Sequence, residues 1–560
     1  MKKTLLSVSA LVASFAMGSV ANAACKDADM VIYNTKIYTV NKEQPTAEAV
    51  VVKDSKIVHV GSNASIQDYM CGSAALYNLE GRYVYPGFTD AHVHVKNIGR
   101  REYLLNLQGI DDLQTMIDKT REYAAGVKDG EWLQGGRWIE KKWPEKRFPT
   151  RHDIDPFTKN KPVYLKRAAG HSILTNSKGL EIAGITRDTP DPDGGHIVKD
   201  ENGEPTGMLV DNAMELIERH IPEASYEQEK AYIQAGIDFM TRMGWTQIQE
   251  AGGSYADVEI IKDIHSEGKL GTRMYYAMWM GEEGNRLIRE GRQISEDNMI
   301  DIAGIKYMAD GALGSRGAAM LEPYSDDPHN HGLVLMKRET SVPVLIEALK
   351  KGIQIETHAI GDAANRDVLN FYEEAFNAVP PEERHFADPR WRIEHAQIIH
   401  PDDQQRFIDL GVIMAIEPST VKGDLYFAID RIQSNRLNYA YLWKSMMEKG
   451  AVVAAGTDAP VEIGDPRIEF YSLIQRTDWN GYHNKDWHVE ERITREAALE
   501  MLTLTNAYAA RQEDIRGSIE VGKLADFTIF DRDIMEGAPI KVMDATNVMT
   551  VVGGKITYQK

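Results

Sequence analysis

From residue 28 to residue 62, "ADMVIYNTKIYTVNKEQPTAEAVVVKDSKIVHVGS" alternates apolar and polar positions in short β-branched runs, broken by Asn, Lys-Glu-Gln-Pro and Asp-Ser. A period of two puts every second side chain on one face, so these runs predict hairpin-like strands. The far end repeats the pattern in "DFTIFDRD" (526–533) and "VMTVVGGKITYQ" (548–559), where Gly553-Gly554 has the composition of a two-residue hairpin turn. Strands at both ends predict one small β-sandwich built from the two termini, with everything between them inserted.

From about Pro86 to Thr505 the pattern changes. Strand-like runs ("YVYPGF", "KPVYLKR", "GWTQIQE", "AGIKYMAD", "GIQIETHA", "WRIEHAQ", "GVIMAIE", "AVVAAGTDAP") are separated by segments apolar at helical spacing, such as "VPVLIEALKKG". Alternating strands and helices predict parallel strands with crossover helices. About eight of them over roughly 400 residues fit a distorted (β/α)8 TIM barrel with insertions better than an open sheet. The boundaries that follow are a β-sandwich part over 24–85, a barrel over 86–505 and the second sandwich part over 506–560.

Residues 1–23 read differently: Lys2 and Lys3, the apolar run "LLSVSALVASFAMGSV", then "ANA" as a small-x-small cleavage site. That is the grammar of a bacterial export signal, too short and too rich in Ser, Ala and Gly for a membrane anchor, and it predicts a periplasmic or secreted protein with no transmembrane anchor. The two cysteines, Cys25 and Cys71, survive cleavage; a disulfide, free thiols and a lipidated Cys25 all remain open. With 64 basic against 84 acidic residues and a net charge of -20, the chain lacks the basic surface that nucleic acid or anionic membrane requires.

Candidate chemistry gathers where the strand-like runs stop. "TDAHVH" sets His92 and His94 one residue apart, so both project from one face of a strand, as do Asp90 and His92. His358 ends "GIQIETH", His395 ends "WRIEH", and Asp458 follows "AVVAAGT". Lys306 lies in "AGIKYMAD", with Asp310 and Arg316 on the next loop as candidate substrate-binding residues. Taken singly, each has a structural explanation. Together, four histidines and an aspartate at separate strand ends predict a metal site, since imidazole nitrogens and carboxylates suit zinc-like cations. Glu250 in "GWTQIQE" and, more weakly, Lys166 compete with Lys306 as the shared ligand. His171 in "RAAGHS" reads as a donor to the substrate carbonyl or as a structural residue. Glu394, next to His395, should face the other side of its strand. His329, His331, His483 and His488 lie in loop-like or charged surroundings with no second ligand cluster.

The order H-x-H, Lys, His, His, Asp, with "VYPGFTDAHVH" and the tail "GSIEVGKLADFTIFD", resembles the amidohydrolase superfamily. "GHSILTNSKGL", "TPDPDGGHI", "GEPTGML", "KYMADGALGSR", "HAIGDAA", "RIEHAQ" and "GTDAPV" resemble its amidohydrolase-3 branch, which contains N-substituted formamide deformylase-like enzymes. The resemblance implies two divalent ions, zinc being the expected metal. His92, His94 and Asp458 would hold one and His358 and His395 the other, with Lys306, carboxylated on its amine, as the bridge. It also implies hydrolysis of an amide, formamide or N-acyl amine, with Asp458 carrying the proton. A mononuclear deaminase and a non-catalytic ligand-binding barrel are the alternatives, and a homodimer is left open. The chain departs from the branch at Ala169, where an aspartate is common, and at Glu417 and Thr420, where Gln-Pro-x-His is common.

Overall fold

The computed structural model describes residues 25–140, 143–168, 170–477 and 487–560. The export signal expected at 1–23, Ala169 and His483 lie outside the described residues. The two ends of the chain share one domain. A four-stranded sheet joins Lys56–Gly61, Ala49–Lys53, Met30–Tyr33 and Ala75–Asn78. A six-stranded sheet joins Lys555–Gln559, Asn547–Val552, Phe527–Phe530, Tyr83–Pro86, Lys36–Tyr38 and Thr46–Ala47. In the second sheet Phe527–Phe530 runs antiparallel to Tyr83–Pro86, with Ile529 opposite Val84. The alternation seen in the sequence buries Ile32, Ile37, Val50, Val84, Phe527, Ile529 and Val551 in one core, each side chain contributing about 1.5–3 kcal/mol. Gly553 and Gly554 turn the last hairpin at φ of 56° and 72°, a conformation open to glycine at little cost. Cys25 and Cys71 are disulfide-bonded, their Cα atoms 5.7 Å apart.

Eight strands form the barrel: β1 (Phe88–Val93), β2 (Trp245–Gly253), β3 (Arg273–Trp279), β4 (Ile300–Met308), β5 (Gln354–Ala359), β6 (Arg392–His395), β7 (Ile413–Ile416) and β8 (Val453–Ala455). Neighbours pair in parallel from β1 through β8. Two expected members are corrected. In "YVYPGF", Tyr83–Pro86 is a strand of the sandwich's six-stranded sheet, and the barrel strand begins only at Phe88. "KPVYLKR" is a strand, Val163–Lys166, but it belongs to a separate six-stranded sheet that the segment between β1 and β2 contributes. The barrel strand in its place is β3, "RMYYAMW", buried along all but its last residue. A strand covered on both faces carries no period of two, so its apolar run does not announce itself.

The barrel closes by a distorted seam between β8 and β1. At its carboxyl end His94 N–H donates to Ala459 O (2.9 Å) and Asp458 N–H to His92 O (2.8 Å). Deeper, where the strands part, the side chain of Asn506 replaces the ladder. Its Nδ2 donates to Thr89 O and Ala455 O (2.7 Å each), and its Oδ1 accepts from Ala455 N–H (2.9 Å). Asp90 pins the same seam by accepting from Thr457 N–H and Oγ1–H at 2.9 and 2.6 Å. Below the site the interior is polar: Arg392 donates to Gln249 (2.6 Å) and Arg516 to Gln247 (2.6 Å).

Candidate metal centre

The carboxyl ends of parallel barrel strands meet at one face, where side chains from distant parts of the chain converge. His92 leaves β1 there and His94 follows it; Lys306 comes from β4, His358 from β5, His395 from β6, and Asp458 lies just past β8. Asp458 Oδ1 is 3.2 Å from His94 Nε2 and 3.7 Å from His92 Nε2. Lys306 Nζ is 3.3 Å from His92 Nε2 and buried. The His358 and His395 rings meet edge to face at 4.3 Å between centroids, and His395 is 5.0 Å from His92. All six sequence-derived candidates are therefore in one cluster.

The donor chemistry fits metal ions. Burial, with the nearby Lys306 charge, holds the His92 pKa well below the usual histidine range; burial, with His395 beside it, does the same for His358. Neutral imidazoles keep a lone pair for a cation. Burial opposes the charge on the other two rings, but bonds to Asp458 and Glu250 raise the His94 pKa to about 10 and Glu417 raises that of His395, so a cation binding there would displace their protons. The nitrogens of His92 and His94 and a carboxylate oxygen of Asp458 all lie within 4.8 Å of one another. Burial opposes ionisation of Asp458, but the bond from His94 and the positive charge on that ring outweigh it and keep its pKa below the usual carboxylate range.

Carboxylates back the histidines. His92 Nδ1 is 2.6 Å from Glu394 Oε2, and His395 Nδ1 is 2.7 Å from Glu417 Oε2. Each contact fixes the tautomer and turns Nε2 toward the centre. A carboxylate oxygen of Glu417 also lies within 4.8 Å of ring nitrogens of His92 and His395. Because its oxygens face the Nδ1 edges of both rings, at 3.3 Å from His92, it orients them. Glu250 accepts from Val95 N–H (2.7 Å) and stands 3.4 Å from His94 Nδ1, behind that ring, so it does not occupy the bridging place. Lys166 lies in the inserted sheet, half-exposed near Glu218.

Three expectations meet different surroundings. Asp310, a candidate substrate binder, is buried and accepts from Ala319, Ile360 and Gly361 N–H at 2.8–3.0 Å. Its Oδ1 also stands 3.4 Å from His358 Nε2, so it orients the loop and that ring. Arg316 makes a two-pronged pair with Asp326 (3.0 and 2.9 Å), which Arg431 also binds, and the three fasten two loops together. Both side chains expected to touch substrate are thus committed to protein partners. His171 lies outside the cluster, between Val163–Lys166 and Ser172–Leu174, with 74% of its side chain exposed and Nδ1 3.0 Å from Asp211.

Glu394 is the residue that strand alternation misplaces. Arg392 and Glu394 both point into the barrel, so regular alternation would send His395 outward. Its φ of 70° breaks the alternation and brings the ring back to the centre. Left-handed backbone is disfavoured for a residue with a Cβ, so the surrounding bonds impose this conformation. No sequence pattern marks it.

Residues 75–558 match a family model, Amidohydro_3, described as "Amidohydrolase family". The chain is 31% identical over 532 residues to a "Putative amidohydrolase YtcJ" of Bacillus subtilis, covering 94% of this chain and 98% of the relative. It is 25% identical over 547 residues to an "N-substituted formamide deformylase" of Arthrobacter pascens, covering 95% and 98%. Among solved structures, an uncharacterized metal-dependent hydrolase from Pyrococcus furiosus superposes with a TM-score of 0.73 at 25% identity, over 90% of this chain and all of that one.

Proposed function

Because the chain belongs to the amidohydrolase family of metal-dependent hydrolases, we propose that it cleaves the carbon–nitrogen bond of a small amide, formamide or N-acyl amine with water. The observation that carries the reading is the convergence of His92, His94, Lys306, His358, His395 and Asp458 at one end of the barrel, with two imidazoles neutral and Asp458 ionised. The likeness to a protein named for deformylating N-substituted formamides favours a carbon–nitrogen bond.

His92, His94 and Asp458 would hold one divalent ion and His358 and His395 a second. Zinc is the ion we propose for both. Lys306 would bridge them as a carbamate, which converts an ammonium that repels cations into an oxygen donor. The bound pair supplies Lewis acidity and a source of hydroxide at neutral pH. Asp458, ionised and 3.2 Å from His94, accepts the proton of the attacking water and returns it to the departing nitrogen. Glu394 and Glu417 hold the imidazoles still while this happens. We further propose that the protein works outside the cytoplasm, a reading supported by the signal-like start and the Cys25–Cys71 bond.

Elemental analysis of the purified protein tests the centre. Two metals per chain, falling on His92→Ala and on Lys306→Ala, is the expected result. One metal, unchanged in Lys306→Ala, would favour a mononuclear site and overturn the bridge; none after metal supplementation would overturn the hydrolase reading.

A further inference from the structure

Among the described residues, the rim of the metal centre carries large apolar side chains that remain exposed. Trp279 ends β3 and is the register partner of Lys306 on β4. The backbone bond from Met280 N–H to Lys306 O (3.0 Å) ties the two strand ends together. The indole rests on Gly252, near the end of β2 and two residues past Glu250, which backs His94. A Cβ on Gly252 would stand 2.8 Å from Trp279 Cε2 and Cζ2, so glycine is what lets the ring lie down on this backbone. Trp279 nevertheless remains 39% exposed. Two loop residues, past the ends of β8 and β4, add to the rim. Val461, held by its N–H to Asp458 O (2.8 Å), is 68% exposed, and Leu335, held by its N–H to Ala309 O (2.8 Å), is 46% exposed. The charged residues Arg316, Asp326 and Arg431 are by contrast bound to one another.

A large aromatic ring fixed from below and open above is a surface for binding apolar or flat groups, because it loses little freedom when covered. Beside a polar metal centre, such a surface divides the pocket into a reacting end and a recognition end. Resting on the proposed carbon–nitrogen hydrolysis, we propose that Trp279, seated on Gly252, determines specificity by packing against an apolar, flat substituent of the substrate, with Val461 and Leu335 extending that surface.

Turnover of N-formylphenethylamine and of N-formylethanolamine by the metal-loaded full chain, its Trp279→Ala variant and its Trp279→Phe variant tests this. Trp279→Ala is expected to lower kcat/KM for the phenyl compound about tenfold, mainly through KM, and to change the hydroxyl compound by less than about twofold; Trp279→Phe should recover most of the loss. An equal loss on both compounds, or none on the phenyl compound, overturns the proposal. If the metal-loaded wild type hydrolyses neither, the proposed reaction fails, and calorimetric titration with N-formylphenethylamine decides the platform by itself. Binding about tenfold weaker in Trp279→Ala supports it; equal or undetectable binding in the wild type and the variant overturns it.

Discussion

At Asp458 two demands meet: the carboxylate must sit within reach of His92 and His94, and it must stay ionised in a buried place. The backbone bond from its N–H to His92 O sets the first, and the neighbouring imidazoles set the second. Asp458→Asn keeps the shape and removes the proposed proton acceptor. We expect the folded protein to lose turnover by about 10²–10⁴-fold, read as kcat with the melting temperature unchanged within a few degrees. Glu417→Gln keeps a hydrogen-bonding oxygen beside His395 but loses the charge, and metal affinity should fall about 10–100-fold in a competition assay against a chelator. The four histidines and Asp458 were legible as candidates because strand-end positions follow from hydrophobic runs, whereas Lys306 entered the set through the family resemblance of its motif. Glu394 and Glu417 were not legible as backing groups: the first depends on a backbone inversion at His395 and the second on the packing of β7 beside β6. Trp279 gave no signal either, since tryptophan at a strand end most often belongs to a core.

Among the elements, β3 shows where periodicity stops being informative. A strand buried on both faces looks like any apolar run, whereas Lys36–Tyr38 in the sandwich alternates, Ile37 buried between two half-exposed neighbours. Periodicity also identifies a strand without saying which sheet takes it, which is why Val163–Lys166 reads as part of the barrel. The junction between barrel and sandwich rests on a different feature, the buried pair of Arg273 on β3 and Asp526, with two contacts at 2.8 and 2.9 Å. Burial opposes the charge on Asp526, but Arg273 outweighs it and lowers the pKa. A depressed carboxylate pKa contributes stability above its unfolded value of about 3.9, and that contribution is lost as pH falls through the folded value. Asp526→Asn leaves Arg273 buried without its counter-charge. Urea unfolding at neutral pH should show a loss of about 3–5 kcal/mol, and the gap between variant and wild type should narrow as the pH is brought below about 4.

At the scale of the molecule, the two-part sandwich and the barrel between its halves were legible from the contrast between period-two ends and an alternating middle. The polar barrel interior and the sheet inserted between β1 and β2 were not, because both arise from contacts remote in sequence. The Cys25–Cys71 bond, spanning 46 residues, ties the start of the described chain to the sandwich. Cys71→Ser should lower unfolding stability by about 3–4 kcal/mol while leaving kcat at room temperature unchanged, since the loop it closes lies outside the metal centre. The pairing of Phe527–Phe530 with Tyr83–Pro86 has a further consequence, for the order in which the protein comes into being. A chain made or threaded from its amino end presents His92 early, but the seam beside it waits for Asn506, and the sheet under β1 waits for the last hairpin. The candidate ligands then come together only after nearly the whole polypeptide has emerged, and any ion they hold would be taken up wherever the carboxyl terminus arrives.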